Sequence, residues 1–110
     1  MIRSMMKKNY DKLVRDRIPE IIAATGADCV TEIVAEEDYL RRLDAKLEEE
    51  LAEYLRDQTV EELADLLEVI RAVALARGVT PEELEALREK KARERGGFSK
   101  RIVLKEVSER

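Results

Sequence analysis

Residues 36–78 of this 110-residue chain read EEDYLRRLDAKLEEELAEYLRDQTVEELADLLEVIRAVALARG. Apolar residues recur here every three or four positions, which is the spacing of an amphipathic helix. The pattern breaks at Asp57-Gln58-Thr59, so the stretch predicts two long helices, from about Glu36 to Asp57 and from Thr59 to Gly78. Because the connection is too short for a crossover, the two helices should pack antiparallel as a helical hairpin.

The two predicted helices differ in the width of their apolar faces. The stripe of the first helix comprises Leu40, Leu43, Leu47, Leu51 and Tyr54, and the broad arc of the second comprises Leu63, Leu66, Leu67, Ile70, Val73 and Ala74. Such an arc is wider than one partner helix can cover. We therefore expect self-association into a homodimer or homotetramer, with a dimer building a four-helix bundle.

Shorter elements flank the hairpin. Pro19 suits the first turn of a short helix and Gly26 suits its end. Thr80-Pro81-Glu82-Glu83 opens a further helix that runs to about Arg95. The segments CVTEIV (29–34) and RIVLKEV (101–107) are rich in β-branched residues and could pair as two short strands. The sequence thus predicts one mainly α domain over residues 1–110, with a four-helix-bundle-type core across a dimer.

Composition narrows the chemistry that one chain can perform. The chain has no His and a single Cys, Cys29, so it excludes histidine-based catalysis, imidazole or thiolate metal sites and an intrachain disulfide. No apolar run reaches transmembrane length, and the start, MIRSMMKKNYDKL, lacks the apolar core of a signal peptide. We therefore expect a cytoplasmic protein with no membrane partner, whose chemistry relies on carboxylates, Lys, Arg and hydroxyls.

Charge is segregated along the chain. Residues 32–68 carry a net −10, whereas residues 1–20 carry +3 and residues 86–110 carry +5, within an overall net charge of −4. Solvated helix faces with a basic tail would explain this pattern. The alternative is that the acidic middle holds cations and the basic ends hold an anion. Few aromatics and a negative net charge argue against a nucleic-acid partner.

Four acidic residues lie at the edges of the apolar faces when successive helix residues are placed 100° apart. Glu50 and Glu53 form one i,i+3 pair on the first helix, and Glu62 and Asp65 form another on the second, both near the turn. Converging carboxylates raise one another's pKa unless a cation intervenes. A site made only of oxygen ligands favours Mg²⁺ or Mn²⁺ and disfavours zinc.

The same acidic residues also have ordinary structural interpretations. Glu62 could complete a capping box with Thr59. Glu50 and Glu53 could cover the edge of the stripe, or pair with Lys46 and Arg56. The sequence leaves both interpretations open.

The acidic helices resemble a known family. KLEEELAEYL followed by EELADLLEVI is similar to the EExxE…ExxD pattern of the MazG-like, all-α nucleoside triphosphate pyrophosphohydrolases. The ends, YDKLVRDRIPEII (10–22) and ERGGFSKRIVL (94–104), resemble the short subgroup known as phosphoribosyl-ATP pyrophosphohydrolase-like. The resemblance covers residues 10–107. Only eight residues separate Glu53 from Glu62, fewer than in larger MazG domains, so the loop that helps enclose the base is short.

The resemblance implies an activity and a set of site residues. Family members hold Mg²⁺ over a triphosphate and hydrolyse the α–β bond, which gives a monophosphate and pyrophosphate. The implied metal ligands are Glu50, Glu53, Glu62 and Asp65. Glu49 is the implied catalytic residue, either as a water-activating base or facing a neighbouring subunit. The basic ends would bind the phosphates of the substrate. The candidate residues are Lys12, Arg15, Arg17, Lys91, Arg95, Lys100 and Arg101.

Two rival functions stay open at this point. A non-catalytic helical dimerisation module would use the acidic residues only as solvated faces. A phosphoribosyl-ATP pyrophosphohydrolase would keep the same chemistry with a different substrate.

Overall fold

A computed structural model describes residues 8–109, and all the regular secondary structure in this part of the chain is helical. Its helices are α1 (Ile18–Ala24), α2 (Glu36–Asp57), α3 (Val60–Ala76) and α4 (Pro81–Arg95). The predicted positions of all four helices are confirmed. The predicted domain, 1–110, also includes residues 1–7 and residue 110, which lie outside the described range.

A tight connection joins α2 to α3. Gln58 has a left-handed backbone (φ 53°), and its N–H donates to the Tyr54 carbonyl at 2.6 Å, which ends α2. The Thr59 hydroxyl then accepts the N–H of Glu62 at 3.2 Å and caps α3. The chain therefore reverses within two residues, and α2 and α3 pack along each other as a hairpin. α4 packs against α3.

One chain buries little apolar surface. Only Leu43, Val69 and Ala74 are buried hydrophobic residues among those described, and Leu43 is the most enclosed at 3% exposed. The accessible surface is 10681 Å², whereas a compact chain of this mass exposes about 6,200 Å². The radius of gyration is 19.8 Å, against about 13 Å for a compact domain of this length. The single chain is therefore elongated, with a core too small for its length.

The broad arc of α3 is covered on one side only. Val69 is buried and Leu66 and Val73 are half-buried, whereas Leu63 and Leu67 are exposed. Six exposed residues along the hairpin form what we call the apolar flank: Leu51, Leu55, Val60, Leu63, Leu67 and Ile70. As the sequence predicted, one partner helix does not cover the arc.

The predicted two-stranded element does not occur in residues 8–109. Segments 29–34 and 101–107 have no regular secondary structure. Val30 and Ile33 in the first and Ile102 and Val103 in the second are exposed. An isolated pair of strands is marginally stable in water, and no helix of residues 8–109 covers these side chains to stabilise one.

The helices in the described range are all too short or too polar to cross a lipid bilayer.

Candidate metal centre

Five carboxylates from α2 and α3 converge beside the connection between the two helices. Glu49, Glu50 and Glu53 form one group, and Glu50, Glu62 and Asp65 form another. Within each group the carboxylate oxygens lie within 4.8 Å of one another. Glu50 belongs to both groups and joins them into a single cluster, which we call the acidic cluster.

The spacing of the acidic cluster fits a small divalent cation. Oxygens bound to Mg²⁺ at 2.0–2.1 Å lie at most about 4.2 Å apart. Oxygens within 4.8 Å of one another therefore need only small side-chain rotations to reach that geometry. The donors are all carboxylate oxygens, which Mg²⁺ and Mn²⁺ accept and zinc disfavours.

Glu50 lies at the centre of the cluster and is only 7% exposed. Its Oε1 lies 3.6 Å from Lys46 Nζ, but Oε2 is buried without a hydrogen-bond partner among the described residues. Burial raises the pKa of Glu50, and the neighbouring carboxylate of Glu53 raises it further. A buried acceptor without a partner is costly, and a cation between the carboxylates would remove that cost.

Glu62 also supports a metal site, because its carboxylate does not form the capping-box hydrogen bond with the Thr59 N–H. Two Thr-x-x-Glu sequences begin helices in this chain. At Thr80 the capping box is complete, because Thr80 Oγ1 accepts the Glu83 N–H at 3.1 Å and Glu83 Oε1 accepts the Thr80 N–H at 3.4 Å. At Thr59 the hydroxyl accepts the Glu62 N–H, but no bond returns from the Glu62 carboxylate. That carboxylate instead lies beside Glu50.

The environment of the Glu62 carboxylate resembles that of Glu50. Its Oε2 is buried and has no hydrogen-bond partner within residues 8–109. Desolvation raises the pKa of Glu62, with further contributions from Glu53 and Asp57. The capping-box alternative for Glu62 is therefore not realised in the structure.

The acidic cluster also includes contacts from two basic residues. Both were candidates for phosphate binding in the sequence. Lys12 Nζ is 2.8 Å from Glu49 Oε1, and Arg15 Nη2 is 2.7 Å from Asp65 Oδ1. The hydrogen bond from Lys12 lowers the pKa of Glu49, and the same bond raises the pKa of Lys12. The two outer acids of the cluster are thus paired with cations of the chain itself.

The other proposed phosphate-binding residues lie elsewhere in the single chain. Arg17, which directly precedes α1, pairs with Glu20 in its first turn at 2.6 Å. Lys91 and Arg95 belong to α4, and Lys100 and Arg101 follow it. All five side chains are exposed, and no ion pair in the described part of the chain joins them to the acidic cluster.

Lys46 also lies at the site. The sequence suggested it only as an ion-pair partner of Glu50 or Glu53, in the alternative without a metal. Its side chain is 15% exposed, and Nζ lies 3.3 Å from Glu49 Oε2 and 3.6 Å from Glu50 Oε1. The signal was the i,i+3 and i,i+4 spacing to these two acids. Lys46 engages one oxygen of Glu50 and leaves the other free for a cation, so an ion pair and a metal site are compatible.

The buried carboxyls give the cation-free protein a characteristic pH dependence. Their pKa values are raised in the folded state, so the folded chain binds protons more tightly than the unfolded chain. This contribution to stability is present at low pH and is lost as the pH rises through the raised pKa values. We expect the free energy of unfolding, measured with urea in a chelator, to fall as the pH rises above 4.5, and to fall less in Glu50→Gln.

The control for this measurement is Glu48→Gln, which removes an exposed carboxylate from the same helix. It should keep the pH dependence of the parent protein. Parallel curves for the parent and Glu50→Gln above pH 4.5 would show that Glu50 titrates normally.

Comparison with known proteins identifies no family. No protein-family model matches the chain, and no solved structure matches it. An uncharacterized protein of Mycolicibacterium smegmatis is 52% identical over 42 residues, which is 38% of this chain. The matched part spans 43% of that relative, well under two thirds of its length.

Proposed function

We propose that this chain hydrolyses the α–β bond of a nucleoside triphosphate or a related nucleotide, with Mg²⁺ as its cofactor and Mn²⁺ as an alternative. The products are a monophosphate and pyrophosphate, and the role is of the housekeeping type. The observation that carries the proposal is Glu50 Oε2, a buried carboxylate oxygen without a hydrogen-bond partner among the described residues, at the junction of two groups of acids. The MazG-like motif supports the same chemistry.

Each member of the site has a proposed role. Glu50, Glu53, Glu62 and Asp65 hold the cation, which when bound neutralises phosphate charge and favours ionisation of water. Lys12 and Arg15 bind phosphate oxygens, and for Arg the contact can be bidentate. The remaining basic candidates, which lie away from the cluster, would need a second copy of the chain or the substrate itself to bring them close. They are Arg17, Lys91, Arg95, Lys100 and Arg101.

Glu49 is the proposed water-activating base, and its surroundings set a condition for that role. A general base works best when its pKa lies near the working pH. The hydrogen bond from Lys12 keeps the pKa of Glu49 below its ordinary value. Glu49 can therefore accept a proton efficiently only after Lys12 leaves it.

The assay that tests this proposal measures pyrophosphate release from nucleoside triphosphates with and without Mg²⁺. We expect release only with the cation, together with an equal amount of the monophosphate. Phosphoribosyl-ATP in the same panel tests the alternative substrate. Diphosphate and inorganic phosphate as products would place cleavage at the β–γ bond. Absence of any turnover across the panel would favour the non-catalytic dimerisation module.

We also propose that the chain functions as a homodimer, with a homotetramer as the next assembly. The accessible surface of 10681 Å² exceeds that of a compact chain by roughly 4,000 Å². Obligate interfaces bury about 2,000–5,000 Å² in total, or about 1,000–2,500 Å² from each chain, so a permanent dimer interface would remove part of this excess. A second copy presenting the same apolar flank would form an isologous contact between two hairpins.

This assembly would leave the acidic cluster accessible. On α3, when residues advance by 100°, Asp65 lies beyond one edge of the residues that face α2, Glu62 lies among them, and Leu63, Leu67 and Ile70 lie beyond the other edge. Asp65 and the apolar flank are thus separated by the face that packs on α2. A four-helix bundle built through the apolar flank therefore does not block the proposed substrate site. No nucleic acid is part of the proposal, and the proposed location is the cytoplasm.

A further inference from the structure

The segment from Tyr10 to Arg15, which we call the basic strap, lies across both helices of the hairpin. The carbonyl of Asp11 accepts a hydrogen bond from Arg42 Nη1 on α2 at 3.2 Å. Lys12 then pairs with Glu49 on α2, and Arg15 pairs with Asp65 on α3. The strap is therefore fixed to α2 at one end and bridges to α3 at the other, with the acidic cluster between.

The two cations of the strap neutralise acids of the cluster that would hold a metal ion, since Asp65 is a proposed ligand and Glu49 is the proposed base beside it. Lys12 and Arg15 together bring two positive charges, the same charge as one divalent cation. Glu49 Oε1 and Asp65 Oδ1 are in hydrogen-bond contact with them at 2.8 and 2.7 Å. A metal ion held by these acids would lie close to both cations and would be repelled by them. The strap and a divalent cation therefore compete electrostatically for the outer acids of the cluster.

The strap has contacts both at the acidic cluster and away from it. The side chains of Lys12 and Arg15 are 41% and 55% exposed, and ion pairs as exposed as these are weak. The link from Asp11 to Arg42 lies outside the acidic cluster, and Arg42 is itself held by Asp38 at 3.0 Å. Displacement of Lys12 and Arg15 would therefore leave the strap attached at Asp11, with both cations still close to the site.

We propose that the basic strap is an internal counter-cation that a divalent metal ion displaces. In the metal-free chain Lys12 and Arg15 neutralise the outer acids. When the metal ion binds, they leave Glu49 and Asp65 and become available for the phosphate oxygens of the substrate. This inference rests on the proposed function for the identity of the site, and it adds that metal binding prepares the phosphate contacts. Such coupling is reciprocal, so bound phosphate also strengthens metal binding.

The test measures binding of Mn²⁺ alone, without nucleotide, by the electron paramagnetic resonance signal of the free ion. The variant is Lys12→Gln with Arg15→Gln, and the control is Arg88→Gln with Lys90→Gln, which changes the net charge equally on α4. We expect the strap variant to bind Mn²⁺ about tenfold more tightly than the parent, within the usual range of coupling between two sites. The control should bind like the parent, apart from a small change caused by net charge.

A second measurement follows the strap itself. The chain has no Trp, so Tyr10→Trp places a single indole on the strap. Its emission should change on addition of Mg²⁺, and the change should be absent when Glu50→Gln is added to the same chain. This readout does not depend on turnover.

The outcomes separate the strap from the function. Absence of Mn²⁺ binding in both the parent and the strap variant overturns the proposed metal site and the strap together. A parent that binds Mn²⁺ with the same affinity as the strap variant, or a control variant that gains as much affinity, overturns the strap alone. Indole emission that ignores Mg²⁺ while Mn²⁺ binds also overturns the strap alone.

Discussion

Glu50→Gln is expected to abolish Mg²⁺-dependent pyrophosphate release, with a fall in catalytic efficiency of about a thousandfold or more. The amide keeps the shape of the side chain but removes the charge from the one residue that belongs to both groups of acids. Loss of charge stabilisation by a metal ion is worth several kcal/mol, which corresponds to about three orders of magnitude in rate. The measurement is kcat/KM at saturating Mg²⁺, together with Mn²⁺ affinity.

The matched control for this prediction is Glu48→Gln, which makes the same change two positions earlier on an exposed side chain of α2. It should turn over like the parent. Without metal, Glu50→Gln should be slightly more stable than the parent, because a buried carboxylate is replaced by a neutral group. Full activity in Glu50→Gln would remove Glu50 from the site and with it the main support for the proposed function.

Leu67→Glu is expected to convert the protein into a species of monomeric mass, 12.7 kDa. Leu67 is 54% exposed in the single chain and lies within the apolar flank. In an isologous dimer this position recurs in both copies, so two carboxylates would be buried in one interface. A buried charge without a partner costs several kcal/mol. Light scattering coupled to size-exclusion chromatography measures the mass of the parent and the variant.

The control for assembly is Leu87→Glu, the same change at a residue of α4 that is 52% exposed and outside the apolar flank. It should leave the mass unchanged. Leu67→Lys should also dissociate, and a mixture of the Glu and Lys variants should recover dimers through opposite charges. A parent protein of monomeric mass at micromolar concentration, or an unchanged mass for Leu67→Glu, would contradict the proposed interface.

Local sequence signals predicted the helices well. The bounds Glu36–Asp57 and Pro81–Arg95 agree with the structure because apolar spacing, a capping Thr and a Pro in the first turn act within a few residues. The width of the α3 arc also predicted that one partner helix would leave Leu63 and Leu67 exposed. Helical geometry is regular enough for such angles to be counted from the sequence.

Local sequence signals could not predict contacts between residues that are far apart in the chain. Lys12 is 37 positions from Glu49, and Arg15 is 50 positions from Asp65. The sequence showed that both were basic and suited to phosphate, but not that they pair with acids in the metal-free chain. When residues of α2 advance by 100°, Glu49 lies on the side of the helix away from the apolar stripe. The structure shows its carboxylate at the edge of the cluster, because a long side chain can bend toward neighbouring cations.

The strand prediction failed for a related reason. β-branched residues favour a strand only where a neighbouring strand and a covering layer exist. Segment 29–34 has the composition of a strand but has neither among the described residues. The Thr-x-x-Glu spacing fits both a capping box and a metal site, so the sequence left the role of Glu62 open. In the structure its carboxylate does not bond back to Thr59.

In the proposed function and assembly, α3 would contribute both to the chemistry and to the subunit contact. Glu62 and Asp65 alternate in sequence with Leu63 and Leu67, but the acids belong to the acidic cluster, whereas both leucines are exposed in the single chain. A mutational scan along α3 would therefore show two sets of sensitive positions, each recurring every three or four residues. Substitutions in one set would lower the catalytic rate, and substitutions in the other would lower the molecular mass in solution. Catalysis and subunit contacts could thus change independently during evolution, although their residues are interleaved along the same few turns.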